Sequence, residues 1–240
     1  MKDFLKKIIK RIPIDFTQNQ KYDTQTKEVI AKVCFADSVC IDVGCHKGEV
    51  LDLIRSKAGL GHHYGFEPIP HMYQNLVAKY KDTNCHILDI ALSNETGFTT
   101  FNYVVSNPAY SGLKKRQYDR ETEEDTTIQV KIDKMDNVIP AMVKVDLIKI
   151  DVEGGELLVL EGAKETIIRN KPVIIFEHGL GASEFYNSSP DKVFQLLTSC
   201  GLRVSLMKRW LQGKTPFTEA EFKEEFYSRR NYYFIAYPSV

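Results

Sequence analysis

The chain has 240 residues and a mass of 27.5 kDa, enough for one large α/β domain or at most two small ones. Hydrophobic residues are 43% and charged residues 27%, which excludes wholesale disorder, collagen-like and membrane-spanning classes. Lys plus Arg number 32 and Asp plus Glu 32, so a formal net charge of zero argues against nucleic acid as an obligate partner.

Near the start, Phe4, Leu5, Ile8, Ile9 and Ile12 recur at helical spacing, and Lys6, Lys7, Lys10 and Arg11 interrupt any signal-peptide core. The pattern predicts a short basic amphipathic helix ended by Pro13. Its apolar stripe is read first as packing on its own domain or on a second subunit in a homodimer. Weak peripheral contact with a membrane surface is the less favoured reading. Residues 1–37 are read as an N-terminal helical extension and 38–240 as a single domain, with no repeat or dividing linker. Cys34, Cys40, Cys45, Cys85 and Cys200 are odd in number, widely spaced and without a CxxC pair, which suits the cytoplasm better than a disulfide scaffold. No run of about 18 apolar residues is present to span a bilayer.

From residue 38 onward, short apolar runs alternate with helical patterns, as in βα units on a mostly parallel sheet. Val39–Val43 is the first strand, Gly44–Gly48 a turn and Glu49–Lys57 a helix. His63–Glu67 follows, then a helix opened by Pro70, a strand over His86–Leu92, a turn at Asn94–Gly97 and an antiparallel-type strand over Phe98–Val105. Residues 106–127 are polar and irregular, and read equally as a substrate-side lid or a surface loop. Strands at Ile128–Ile132 and Leu147–Asp151, a helix at Glu156–Arg169, a strand at Val173–Glu177 and a helix at Asp191–Cys200 follow. The last two strands are Arg203–Met207 and Tyr232–Tyr237.

Asp42-Val-Gly44-Cys-His46-Lys-Gly48 joins a strand to a helix start, where glycines bring backbone N–H groups to a ligand and the helix favours an anion. A dinucleotide turn would read GxGxxG; this one reads GxxxG behind an Asp. Glu67 ends the next strand, suited to ribose hydroxyls, and Asp89 with Ile90 ends the third, near an adenine edge. The ordered set describes S-adenosylmethionine better than NAD. Further on, Lys149-Ile-Asp151-Val-Glu153-Gly-Gly-Glu156 runs from a buried strand into a helix start, and Glu177-His178 ends the following strand. Carboxylates gathered at the carboxyl edge of a parallel sheet lie where such sheets bind ligands.

Together, Asp42–Gly48, Phe66-Glu-Pro68, Ala91-Leu-Ser93, Lys149–Glu156 and Phe176-Glu177 resemble, in order, the pattern of FkbM-type S-adenosylmethionine-dependent methyltransferases. The resemblance runs from about residue 38 to about residue 180, roughly three-fifths of the chain. It implies a class I methyltransferase fold: a Rossmann-like α/β sheet of about seven strands, the last antiparallel, with helices on both faces. It implies O-methylation of a hydroxyl on a sugar, glycan or secondary metabolite. By position, Asp42, Gly44, His46 and Gly48 would hold the methionine part, Glu67 the ribose, and Asp89 and Ile90 the adenine. The family has small or polar residues where this chain has Cys45-His46-Lys47.

A sugar hydroxyl needs a base or a metal to lose its proton. Asp151, Glu153, Glu177 and His178 are expected around the acceptor, with His178 or Asp151 as base. A divalent metal on the same carboxylates is a less favoured alternative. Tyr103, Tyr110, Tyr118, Tyr186 and Trp210 are candidates for an aromatic platform, and Lys114-Lys-Arg116 for an anionic group on the acceptor. Asn107-Pro-Ala-Tyr110 looks like the segment of base amino-methyltransferases, but falls some forty residues before the strand end where that segment belongs. An NAD(P)-dependent oxidoreductase and a catalytically silent cofactor-binding module are the competing readings.

Overall fold

The computed structural model describes residues 17–118 and 122–239; the basic helix expected over 1–13 lies outside them. In chain order the first half holds α1 (Gln18–Val33), β1 (Cys40–Val43), α2 (Glu49–Lys57), β2 (His63–Phe66), α3 (Pro70–Lys79) and β3 (Cys85–Leu88). Next come β4 (Ile90–Leu92), β5 (Gly97–Val104), a 3₁₀ turn at Pro108–Tyr110, β6 (Asp125–Asp133) and α4 (Met135–Val138). The second half holds β7 (Leu147–Ile150), α5 (Glu156–Gly162), α6 (Lys164–Asn170), β8 (Val173–Glu177) and α7 (Pro190–Ser199). It closes with β9 (Leu202–Ser205), α8 (Met207–Leu211), α9 (Glu219–Tyr227) and β10 (Tyr233–Pro238).

The large sheet has seven strands in the order β3-β2-β1-β7-β8-β10-β9. The first five pair in parallel, and β10 runs antiparallel to both β8 and β9. This is the class I methyltransferase arrangement the resemblance implied. Strand alternation divides the side chains between two faces. Ile41, Val43, Ile148, Ile150, Ile174, Phe176 and Phe234 pack in one core with α5, α6, α7 and α9. Cys40, Leu147, Val173, Ile175 and Ile235 pack in the other with α1, α2 and α8. The continuous apolar run Val173–Phe176 of β8 follows from burial on both faces, and β7 is apolar but for Lys149.

Several expected elements are divided or moved. The run His86–Leu92 is two strands: β3 ends at Leu88, Asp89 is exposed, and β4 joins a second sheet of order β4-β6-β5. The helix expected over Glu156–Arg169 breaks at Ala163, for two local reasons. Gly162 lies so close to the Ser93 backbone that a Cβ there would stand 2.0 Å from its carbonyl oxygen. The Asp136 carboxylate then accepts from Glu165 N at 2.9 Å and Thr166 N at 2.8 Å, restarting the helix as α6. The strand expected to reach Met207 stops at Ser205, because Met207 opens α8 and packs in the α1 core. Helix α1, read as part of an extension, is a layer of the domain: Tyr22, Val29 and Ile30 are buried against the sheet. No helix among the described residues is long and apolar enough to cross a membrane.

Candidate active site

A cavity of about 960 Å³ opens at the carboxyl ends of the parallel strands, within the size range of cofactor and substrate clefts. One half is built on the turns after β1 and β2 and on β4. Gly44, Cys45 and His46 line it, with Glu67, Ile69 and Ile90. The turn after β1 is tight, with left-handed φ at Gly44 (80°) and at His46 (51°). Its backbone donors do not face the cavity as the sequence suggested. Gly44 N and Cys45 N both donate to Phe66 O at 3.1 Å, and His46 N donates to Glu67 Oε2 at 2.9 Å. The turn is thereby tied to the end of β2. Glu67 Oε1 also accepts from Ile69 N at 3.0 Å, so the carboxylate is fixed through both oxygens, each with a lone pair to spare. Burial pushes the Glu67 carboxyl up to about 7, against the pull of those two N–H groups. Burial, followed by the Lys47 charge, lowers His46 and favours the neutral imidazole.

The other half is acidic. Asp151 follows β7, Glu177 ends β8, and Tyr233 opens β10 in register with Glu177. By strand alternation Asp42, Lys149, Asp151, Glu177 and Tyr233 share the α1 face of the sheet. Lys149 Nζ, almost wholly buried, stands 3.3 Å from Asp151 Oδ2 and 3.7 Å from Asp42 Oδ1. Burial opposes its charge, but Asp151 and Asp42 outweigh that and hold it above the ordinary lysine value. Tyr233 donates its phenol proton to Asp151 Oδ2. Asp151 lies below the usual carboxylate range: burial opposes ionisation, and Lys149 with the Glu177 and Tyr233 hydroxyls overcomes it. Glu177 is pushed well up by burial and then by the Asp151 charge. Glu153, held at a left-handed φ of 57°, pairs with Arg116 from the segment before β6. Glu156, buried, accepts from Gly154 N at 2.9 Å, and burial raises it to about 7.

Four predicted residues lie elsewhere. Asp42 is fully buried behind the β1 turn, outside the cavity wall, with neither carboxylate oxygen in a hydrogen bond; burial raises it. Gly48 caps α2 and its carbonyl accepts from Tyr80 Oη at 2.8 Å, away from the cavity. Asp89 is exposed where the chain leaves the large sheet, and only its neighbour Ile90 lines the wall. His178 turns to the opposite face from Glu177, fully buried with its ring 4.7 Å from Phe226, and burial alone lowers it to about 3. It is a neutral core histidine and cannot reach the cavity as a base. Of the aromatic candidates Tyr110 alone lines the cavity, stacked 6.2 Å from Tyr118 and beneath the Arg116 guanidinium.

The sequence profile of the methyltransferase FkbM domain matches residues 42–204. The chain belongs to the FkbM methyltransferase family. An FkbM methyltransferase structure from Methylobacillus flagellatus is 16% identical with a TM-score of 0.51, the match covering 85% of this chain and 44% of that one. This chain therefore spans less than half the length of that relative. A precorrin-6y C5,15-methyltransferase from Geobacter metallireducens is 11% identical with a TM-score of 0.43, covering 81% of this chain and 76% of that one. A methyltransferase from Aquifex aeolicus, described as SAM-dependent, is 15% identical with a TM-score of 0.39, covering 75% and 80%. No curated protein matches the chain.

The family the chain belongs to is one of methyltransferases rather than of nicotinamide-dependent oxidoreductases, so the donor to weigh against the lining is S-adenosylmethionine. The residues fit that donor: Glu67 offers two fixed acceptors, Ile69 and Ile90 an apolar wall, and the acidic half a field suited to a sulfonium. Part of the cavity was not foreseen. Tyr22 and Asp23 of α1, Phe101 of β5 and Tyr233 of β10 all line it, brought there by long-range packing that no local motif announces. Gly44 ties the halves together, since a Cβ there would stand 1.9 Å from the Asp151 carbonyl oxygen, at a φ of 80°. Gly44→Ala is therefore expected to lose about 3 kcal/mol of stability in urea denaturation, with weakened cofactor binding.

Proposed function

We propose that this FkbM methyltransferase transfers a methyl group to a hydroxyl of a sugar, glycan or secondary metabolite, with Asp151 as the base. Glu67 would hold the ribose hydroxyls, Ile69 and Ile90 the adenine, and the Gly44–His46 turn the methionine end. When bound, S-adenosylmethionine supplies a methyl carbon activated by its sulfonium. Asp151 would take the proton of the acceptor hydroxyl as its oxygen becomes the nucleophile for that methyl group. The carrying observation is Asp151 in the same cavity as Glu67, paired with Lys149 at 3.3 Å and accepting from the Tyr233 phenol. Positioning of the acceptor accounts for most of the rate.

Asp151, Glu153 and Glu177 each bring a carboxylate oxygen within 4.8 Å of the others, a spacing a divalent cation could use. Lys149 beside Asp151 and Arg116 beside Glu153 already offset that charge. No metal enters the proposal, and turnover undiminished by EDTA is the expected result. The acidic lining favours a neutral acceptor over a phosphorylated one. A cytoplasmic setting is proposed from the cysteine pattern alone. The test is S-adenosylhomocysteine release across a panel of monosaccharides, glycans and hydroxylated metabolites. Release with at least one hydroxyl acceptor is expected. Cofactor binding without release on any of them would favour the silent module instead.

A further inference from the structure

Tyr233 lies outside residues 42–204, which match the family profile, and belongs to none of the motifs in the sequence. Antiparallel register sets it opposite Glu177, and its ring packs 5.0 Å from Tyr22 of α1. Its phenol donates to Asp151 Oδ2, and Lys149 Nζ stands 3.3 Å from the same oxygen. The phenol hydrogen bond and the Lys149 ion pair both fall on Oδ2. We infer that Tyr233 is a positioning residue for methyl transfer: with Lys149 it engages Asp151 Oδ2 and holds the carboxylate in place, leaving Oδ1 as the oxygen that receives the acceptor's proton. The inference rests on the reading of Asp151 as base.

Supporting this, burial followed by the charges of Asp151 and Glu177 holds the Tyr233 hydroxyl well above its ordinary value, so it stays a donor. The Asp151 side chain is 25% exposed, which leaves it open to the cavity it lines. The groups facing Asp151 are Lys149, Glu153 and Glu156 from its own strand and turn, Asp42 and His46 from β1 and its turn, Glu177 from β8, and Arg116 from the segment before β6. Removing the Tyr233 hydroxyl takes a donor from Asp151 without changing any of these charges.

The test is a ¹³C-carboxyl NMR titration of the full chain saturated with S-adenosylhomocysteine, in wild type, Tyr233→Phe and Asp151→Asn. The Asp151 resonance is the one missing from D151N. It is expected to titrate about one pH unit higher in Y233F, as for a carboxylate that has lost a hydrogen-bond donor. S-adenosylhomocysteine affinity should stay within about twofold, because the phenyl ring keeps its packing. The acid limb of the rate profile, measured with a hydroxyl acceptor from the panel that gives S-adenosylhomocysteine release, should move the same way. An Asp151 resonance that does not move overturns the inference. In wild type the bonded phenol proton should appear as a downfield resonance that moves upfield in D151N. Its absence overturns the inference even if Y233F does not fold. A D151N chain that transfers methyl groups within about threefold of the wild-type rate removes the base reading, whatever the NMR shows. A D151N chain slowed about a hundredfold or more, with an unmoved titration in Y233F, removes the Tyr233 role alone.

Discussion

Asp151→Asn is expected to lower methyl transfer about 10²- to 10⁴-fold while S-adenosylmethionine still binds. The amide keeps the size of the side chain and can still accept from the Tyr233 phenol, but it cannot take a proton. Removing the charge has two consequences. Lys149 loses the partner at 3.3 Å and keeps Asp42 at 3.7 Å and the Gly44 carbonyl, to which it donates at 3.4 Å, so stability should fall by about 2 kcal/mol, short of the cost of a fully orphaned buried cation. Glu177 loses the neighbouring charge that, after burial, raises it most, so it becomes easier to ionise. Residual turnover in D151N would then come from Glu177, and the double variant with Glu177→Gln is expected to abolish it. Measured S-adenosylhomocysteine release, beside calorimetric cofactor affinity, separates loss of chemistry from loss of binding. Turnover within about threefold of wild type would exclude Asp151 as the base.

What the sequence showed of this site depended on how local each feature is. The Gly44 turn, Glu67 and the Asp151–Glu156 turn each sit within a few residues of a strand end. Apolar runs mark those ends, and the βα alternation places them at one edge. His178 failed for a reason one residue wide. Glu177 faces the cavity, and the next residue turns to the Phe222 and Phe226 side, where an imidazole is held neutral by burial. Asp89 failed because an apolar run conceals a change of sheet: Leu88 is the last residue of β3 and Ile90 the first of β4. Tyr233 and Tyr22 were out of reach altogether. They meet the site through an antiparallel register and a helix packing across the sheet, both set by contacts about 80 to 200 residues away in sequence. The break at Ala163 is of the same kind, imposed by Ser93 and Asp136 from distant segments.

Glu67 gives the second large effect, with a sign that its environment fixes. Its carboxyl is up at about 7 in the ligand-free chain, since burial outweighs the two backbone donors. Ribose hydroxyls would donate to the charged form, so only the ionised fraction binds at full strength. That fraction rises from about one-tenth at pH 6 to about nine-tenths at pH 8, so the apparent Kd should fall about tenfold over this range. Folding runs the other way. A carboxyl raised from its model value of 4.5 to about 7 contributes stability at acid pH and loses it as pH rises through about 7. Glu156, also at about 7, adds to that slope, and Asp151, lowered, opposes it at more acid pH. Glu67→Gln isolates the residue. An amide presents one acceptor where the carboxylate presents two, so either His46 N or Ile69 N faces an NH₂ group and loses its partner. The expected cost is about 1–3 kcal/mol in stability. Cofactor affinity should fall ten- to a hundredfold and be flat between pH 6 and 8. Isothermal titration across that range reads both. A wild-type Kd that does not change with pH would mean that Glu67 is not the group meeting the ribose.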